Sequence, residues 1–141
     1  MMVNITNANY KIQERIPSVS EHRFLWGSVG WGNINTEVSR GSLNNSLYWV
    51  VATVNDEPVG MGRIVGDDIM FFYIQDVAAL PAYQNLGLGK EILKYLLAYI
   101  KKRNGTFGGL FASEGKDAFY EKFGFKNHAP HLTGMFTVFD N

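Results

Sequence analysis

Gln84-Asn85-Leu86-Gly87-Leu88-Gly89-Lys90 joins two segments whose apolar residues recur with different periods. Before it, residues 70–80 are mostly apolar and end at Pro81, which has no N–H to give to a ladder. After it, Leu88, Ile92, Leu93, Leu96, Leu97 and Ile100 recur at near-helical spacing, with Lys90, Glu91, Lys94 and Lys101 mostly on the other side. The junction therefore reads as strand, glycine loop, helix. The first N–H groups of a helix have no internal partners, and the macrodipole adds partial positive charge there. Glycines let an anion approach such a backbone closely. On spacing alone the segment is either a pyrophosphate cradle or simply a tight strand-to-helix turn. It is not a Walker loop, because position 84 is Gln and no Ser or Thr follows Lys90. Nor is it a dinucleotide fingerprint, since Ile92 takes the place of the third glycine.

Working outward, residues 4–13 hold a first strand, and Pro17 ends it. Ser18 and Glu21 have the spacing of a capping box, so a helix follows to about Val29. Gly30-Trp31-Gly32 breaks it, and a second helix is expected over residues 36–44. Residues 47–54 are rich in β-branched and aromatic side chains, and an Asn-Asp-Glu turn leads from them to residues 59–65, which reads as a hairpin. Gly66, Asp67 and Asp68 turn the chain into the strand over 70–80, which precedes the glycine loop. Beyond the long helix, Asn104 and Gly105 tolerate the left-handed geometry of a helix end. A strand over 107–112, a helix over 116–123, and strands over 125–127 and 135–139 complete the expectation. The fold class is mixed α/β, a mostly antiparallel central sheet with helices on both faces.

The 141 residues suit a single domain, 1–141. Hydrophobic residues make up 46% and charged residues 18%, enough for a sizeable core and too apolar for disorder. Basic and acidic residues number 13 each, and that balance argues against a nucleic-acid partner. With no cysteine, disulfides, thiolate metal sites and a Cys nucleophile are excluded. His22, His128 and His131 lack carboxylates at ligand spacing, so no metal is expected. The polar first ten residues show no signal-peptide core, and no apolar run nears the ~20 residues of a membrane span. A cytoplasmic chain with no membrane partner is the expectation.

Three pieces of the chain, taken together and in order, resemble the GNAT superfamily of N-acetyltransferases. Gln84, Gly87 and Gly89 match its acetyl-CoA loop; Asp76-Val77-Ala78-Ala79-Leu80-Pro81 resembles its fourth strand; and Ala118-Phe119-Tyr120-Glu121-Lys122-Phe123-Gly124-Phe125 looks like its last helix. The matching pieces lie within residues 47–125. The resemblance implies a GNAT fold and transfer of acetyl from acetyl-CoA to a primary amine, a small molecule being favoured. Transfer would be by direct attack in a ternary complex. It also implies that the backbone of Val77 and Ala79 pairs with pantetheine. An N–H near Ala78 or Ala79 would then polarise the carbonyl. Gln84 and Asn85, with the backbone of Leu86, Gly87, Leu88, Gly89 and Lys90, would hold the pyrophosphate. Asn85 and Leu86 stand where many members carry Arg or Gly. Homodimers built with C-terminal strands are common in the family.

Tyr120 matches the tyrosine that commonly gives a proton to the departing thiolate; otherwise it is a packed aromatic. About 100° of helix separates it from Phe119. Asp76 is the candidate general base; otherwise it is a structural carboxylate, capping a loop or pairing with a Lys or Arg. Trp31, on its glycine-flanked loop, either lines the acceptor site or packs in the core. Glu21 is explained by the capping box, His22 by an exposed helical face, and Trp49 by the core. Two other functions stay open: an acyl-CoA-binding regulatory module without turnover, and a protein or peptide N-acetyltransferase.

Overall fold

The computed structural model describes residues 9–139. Its elements are β1 (Lys11–Gln13), α1 (Val19–Ser28), α2 (Thr36–Asn44), β2 (Tyr48–Val54), β3 (Glu57–Gly66), β4 (Phe72–Ala79), α3 (Leu88–Lys102) and α4 (Asp117–Glu121). Of the expected first strand, residues 4–8 lie outside the described residues. The chain forms two compact units, Met1–Gly109 and Leu110–Asn141.

In the first unit the strands form one antiparallel sheet in the order β1-β2-β3-β4. Alternation along β3 decides which helix meets which face. Gly60 and Gly62 lie beneath Leu88, Ile92 and Leu96 of α3. Met61, between them, belongs to the opposite face, where it joins Leu25, Leu43, Trp49 and Ala78. Helices α1 and α2 therefore cover one face and α3 the other. Ile92, Leu93 and Leu96 are fully buried, and burial of such a side chain contributes about 1.5–3 kcal/mol. No described helix is long and apolar enough to cross a membrane.

The start of α1 follows its sequence signal. Ser18 Oγ accepts from Glu21 N–H at 3.0 Å, and Glu21 Oε1 accepts from Ser18 N–H at 2.9 Å. Arg15 then grips the same carboxylate through both terminal nitrogens, at 2.7 and 2.9 Å. The hydrogen bond from Arg15, then those from Ser18, hold the Glu21 carboxyl below its usual range against the opposing effect of burial. Replacing Ser18 by alanine is expected to cost about 1 kcal/mol. Urea unfolding should show a lower midpoint at unchanged slope. A depressed folded-state value means that the Glu21 contribution is complete above the ordinary Glu range, about 4.3, and fades as pH falls below it. Because Ser18→Ala keeps both the Arg15 pair and the bond from Ser18 N–H to Glu21, wild type and variant should lose that contribution alike in acid.

The chain beyond α3 departs from expectation. No strand forms over 125–127 or 135–139, and over 107–112 the only pairing is an isolated parallel bridge between Gly109 and Tyr73. A strand exists only where a neighbour satisfies its N–H and C=O groups; Gly109 alone meets one, on β4, and the rest of these segments has no ladder partner among the described residues. The last helix is also shorter than its pattern, Asp117–Glu121, with turns continuing to Gly124 at φ 93°.

Candidate active site

Strand β4 changes phase part-way along. Arg63 of β3 pairs with Gln75 and Met61 with Ala78, so three steps on β4 answer two on β3. The extra residue makes a bulge, and within it Asp76 has φ 53°. Left-handed backbone costs an L-residue about 1–2 kcal/mol, and Asp and Asn bear it best.

The bulge decides which backbone groups are free. Before it, Ile74 N–H donates to Gly109 O and Gly109 N–H to Phe72 O, each at 2.9 Å. After it, Leu80 N–H donates to Val59 O of β3 at 2.9 Å. By alternation Ala78 also faces β3, while Val77 and Ala79 turn their N–H and C=O groups to the open edge. The Ala79 carbonyl shows this directly, since it accepts from Gln84 Nε2 at 3.1 Å. Gln84 therefore ties the glycine loop to the end of β4.

That loop runs through a single 3-10 turn, Pro81–Tyr83, to Gly87, the N-cap of α3, at φ 82°. No side chain caps α3. The N–H groups of Leu88, Gly89 and Lys90 thus have no acceptor the helix can supply; its first internal bond runs from Glu91 N–H to Gly87 O at 3.0 Å. A Cβ at Gly87 would meet nothing within 4 Å, so an anion has room to approach. Leu88 is fully buried, which leaves only its backbone for a ligand. Gln84, Asn85 and Lys90 are exposed.

Asp76 reaches into a buried polar cluster. His22 Nε2 lies 3.2 Å from Asp76 Oδ2, and His22 Nδ1 lies 2.8 Å from Ser39 Oγ. Arg63 Nε is 3.1 Å from the same Oδ2, as an ion pair rather than an aligned hydrogen bond. Its Nη1 donates to Ser42 Oγ at 2.8 Å and to Ser46 Oγ at 3.1 Å. The Asp76 side chain is 7% exposed. His22 is fully buried, which corrects its assignment to an exposed helical face. Its neighbours Glu21 and Arg23 made position 22 look polar, but α2 and β4 close over it. Ser39 and Arg63 also went unrecognised. Nothing in linear spacing signals a cluster drawn from α1, α2, β3 and β4.

Aromatic rings continue from this cluster to the surface. His22 packs edge-on to Trp49 at 5.3 Å and to Trp26 at 5.8 Å, and Trp26 packs edge-on to Trp31 at 5.1 Å. Trp26 Nε1–H donates to the Trp31 carbonyl at 3.1 Å, fixing the loop, while the Trp31 side chain remains 39% exposed. Trp49 is core, as expected.

Tyr120 belongs to the second unit. It is partly buried and lies edge-on to Phe119 at 5.0 Å and Phe125 at 5.9 Å. Burial raises its phenol above the ordinary tyrosine value, so it holds its proton at neutral pH.

The family model for the GNAT acetyltransferase domain matches residues 44–127. The chain belongs to the GNAT acetyltransferase family. The matched stretch runs from the end of α2 past α4 and contains β4 and the glycine loop. Among solved GNAT-like structures, a protein of unknown function from meticillin-resistant Staphylococcus aureus, described as a probable acetyltransferase, superposes with TM-score 0.87. It is 30% identical, and the match covers 92% of this chain and 99% of that one. An uncharacterized ycf52-like N-acetyltransferase of Prochlorococcus marinus is 34% identical over 79% of this chain and 64% of its own length. Serotonin N-acetyltransferase 2, chloroplastic, of rice is 26% identical over 79% of this chain and 58% of its own. A soybean protein named histone acetyltransferase TAP1 is 33% identical over 79% and 53%. The chain thus spans between about half and two thirds of the length of these curated relatives.

Proposed function

We propose that this GNAT domain transfers the acetyl group of acetyl-CoA to a primary amine, by direct attack in a ternary complex. The observation that carries the reading is the bulge at Asp76. It puts a carboxylate beside a strand edge whose N–H and C=O groups are open, a few residues before an uncapped helix N-terminus. The family match supplies the cosubstrate, and the local geometry suits it. The N–H groups of Gly87, Leu88, Gly89 and Lys90 would take the pyrophosphate, with Asn85 and Leu86 lining the approach. The outward groups of Val77 and the second lone pair of the Ala79 carbonyl, whose first is taken by Gln84, would pair with the amide-bearing arm, leaving Ala79 N–H for the thioester. Gln84 acts by fixing the loop to Ala79.

A thioester is already activated, so the protein's work is to position and to move protons. Asp76 would take a proton from the attacking amine, and Ala79 N–H would polarise the carbonyl oxygen. Tyr120, protonated at neutral pH, would give a proton to the leaving thiolate; its motif match supports this role. A small amine is favoured because the exposed Trp31, with Trp26 edge-on behind it, offers an aromatic wall beside His22. The rice relative is named for such an amine, serotonin, and the soybean relative for a histone; a protein lysine is therefore the second reading.

Calorimetric titration of acetyl-CoA into wild type and Gly89→Glu tests the first half. Micromolar binding by wild type is expected, and its loss in the variant, because a carboxylate would sit among the orphan N–H groups. Absence of binding to wild type would end the reading. Binding without turnover of either amines or lysine peptides would instead favour a regulatory module.

A further inference from the structure

His22 is fully buried and yet polar at both nitrogens, an arrangement that acetyl transfer as described above leaves unused. Its partners are unequal. An ionised carboxylate offers no proton, so the proton between His22 Nε2 and Asp76 Oδ2 belongs to the imidazole. Nδ1 is then free to accept from the Ser39 hydroxyl at 2.8 Å, and Ser39, on another helix, is itself fully buried. The order Ser39–His22–Asp76 is that of a nucleophilic triad. It is not one, because no acyl carbon can reach a hydroxyl with no exposed surface.

The geometry points to His22 as a positioning residue for the Asp76 base, with Ser39 selecting the tautomer that can do so. This rests on the reading of Asp76 as the base. His22 Nε2–H and Arg63 Nε both lie at Oδ2, which leaves Oδ1 without a hydrogen-bond partner among the described residues. The carboxylate is thus oriented with one oxygen engaged and the other left for the amine. Asp76 needs such holding, since its own backbone is in a left-handed conformation that many environments would relax. The rings of Trp26 and Trp49 pack edge-on to His22 and prevent the imidazole from turning away. Because His22 also contacts Trp26, it links the aromatic wall to the base.

Two measurements test this. The first needs no amine: nitrogen-15 spectra of the whole chain with acetyl-CoA should show His22 protonated at Nε2 and unprotonated at Nδ1. An Nδ1–H tautomer would overturn the proposal. The second uses steady-state kinetics with 2-phenylethylamine, tryptamine or spermidine, whichever turns over fastest. His22→Phe should lower kcat by up to about 100-fold, the scale of a misplaced reacting group, while the KM for acetyl-CoA is unchanged. His22→Gln, whose amide can still donate to Oδ2, should recover most of that loss, and Ser39→Ala should give a smaller fall. Equal impairment of His22→Gln and His22→Phe, or a fall that comes with loss of acetyl-CoA affinity, would mean packing and not positioning. Wild-type turnover by Asp76→Asn would remove the base reading itself. Loss in Asp76→Asn with wild-type kcat in His22→Phe would remove the positioning role alone.

Discussion

Asp76→Asn should lower kcat by about 10²–10⁴-fold, the range over which a positioned base accelerates proton transfer. Asparagine is the informative replacement because it leaves almost everything else in place. It tolerates the φ of 53°, and its carbonyl still accepts from His22 Nε2. What it cannot do is take a proton from an attacking amine. Affinity for acetyl-CoA, measured by titration, should stay within a factor of about two, since the open edge and the glycine loop do not involve that carboxylate. A variant that binds acetyl-CoA normally and turns over at the wild-type rate would assign the base elsewhere. Removing a charge that faces Arg63 also has a structural effect, so thermal unfolding should be run beside the kinetics. An unpaired buried cation destabilises by about 3–5 kcal/mol, a figure reduced here because Arg63 keeps Ser42, Ser46 and some solvent contact.

Gly60→Val is expected to have the second large effect, on stability and binding together. A Cβ at Gly60 would stand 2.9 Å from Ile92 Cδ1, 3.0 Å from Leu88 Cδ2 and 3.1 Å from Ala78 O. The first two are ends of side chains, but the third is backbone of β4 and cannot rotate away. Overpacking of this kind costs about 1–3 kcal/mol. Relief requires α3 to lift, and Leu88 is its first residue, so the orphan N–H groups at the loop move with it. Acetyl-CoA binding should weaken by about tenfold, or roughly 1.4 kcal/mol. Gly41→Ala is the control. It lies in α2 with nothing within 4 Å of its Cβ, and should raise stability by about 0.5–1 kcal/mol without changing binding. Normal affinity in a destabilised Gly60→Val would show that the loop does not depend on how closely α3 seats on the sheet.

The parts of this molecule legible in sequence are those whose causes are local. The capping box at Ser18 and Glu21, the helix over Thr36–Asn44 and the heptad-like apolar run of α3 each carry their signal within one or two turns. The glycine loop was legible for the same reason. The strands expected after residue 106 were not formed, because β-structure depends on a partner and apolar alternation cannot supply one. His22 failed differently. The α1 sequence Val-Ser-Glu-His-Arg-Phe-Leu-Trp-Gly-Ser mixes charge and apolar residues closely, so no stripe marks its inner face. Its burial is decided by Ser39, 17 residues away, and Asp76, 54 away. Asp76 itself was singled out through family resemblance, but its bulge has no sequence signature beyond an Asp that tolerates positive φ.

That bulge gives β4 two frames in amide hydrogen exchange. In a regular edge strand, slow and fast amides alternate without interruption. Here the amide of Ile74 is held by Gly109 on the outer side, and that of Leu80 by Val59 on the inner side. Counting two at a time from either end gives opposite answers at the middle. Val77 and Ala79 should lose their protons quickly while Ala78 keeps its own, and saturation with acetyl-CoA should slow the fast pair and leave the slow one unmoved.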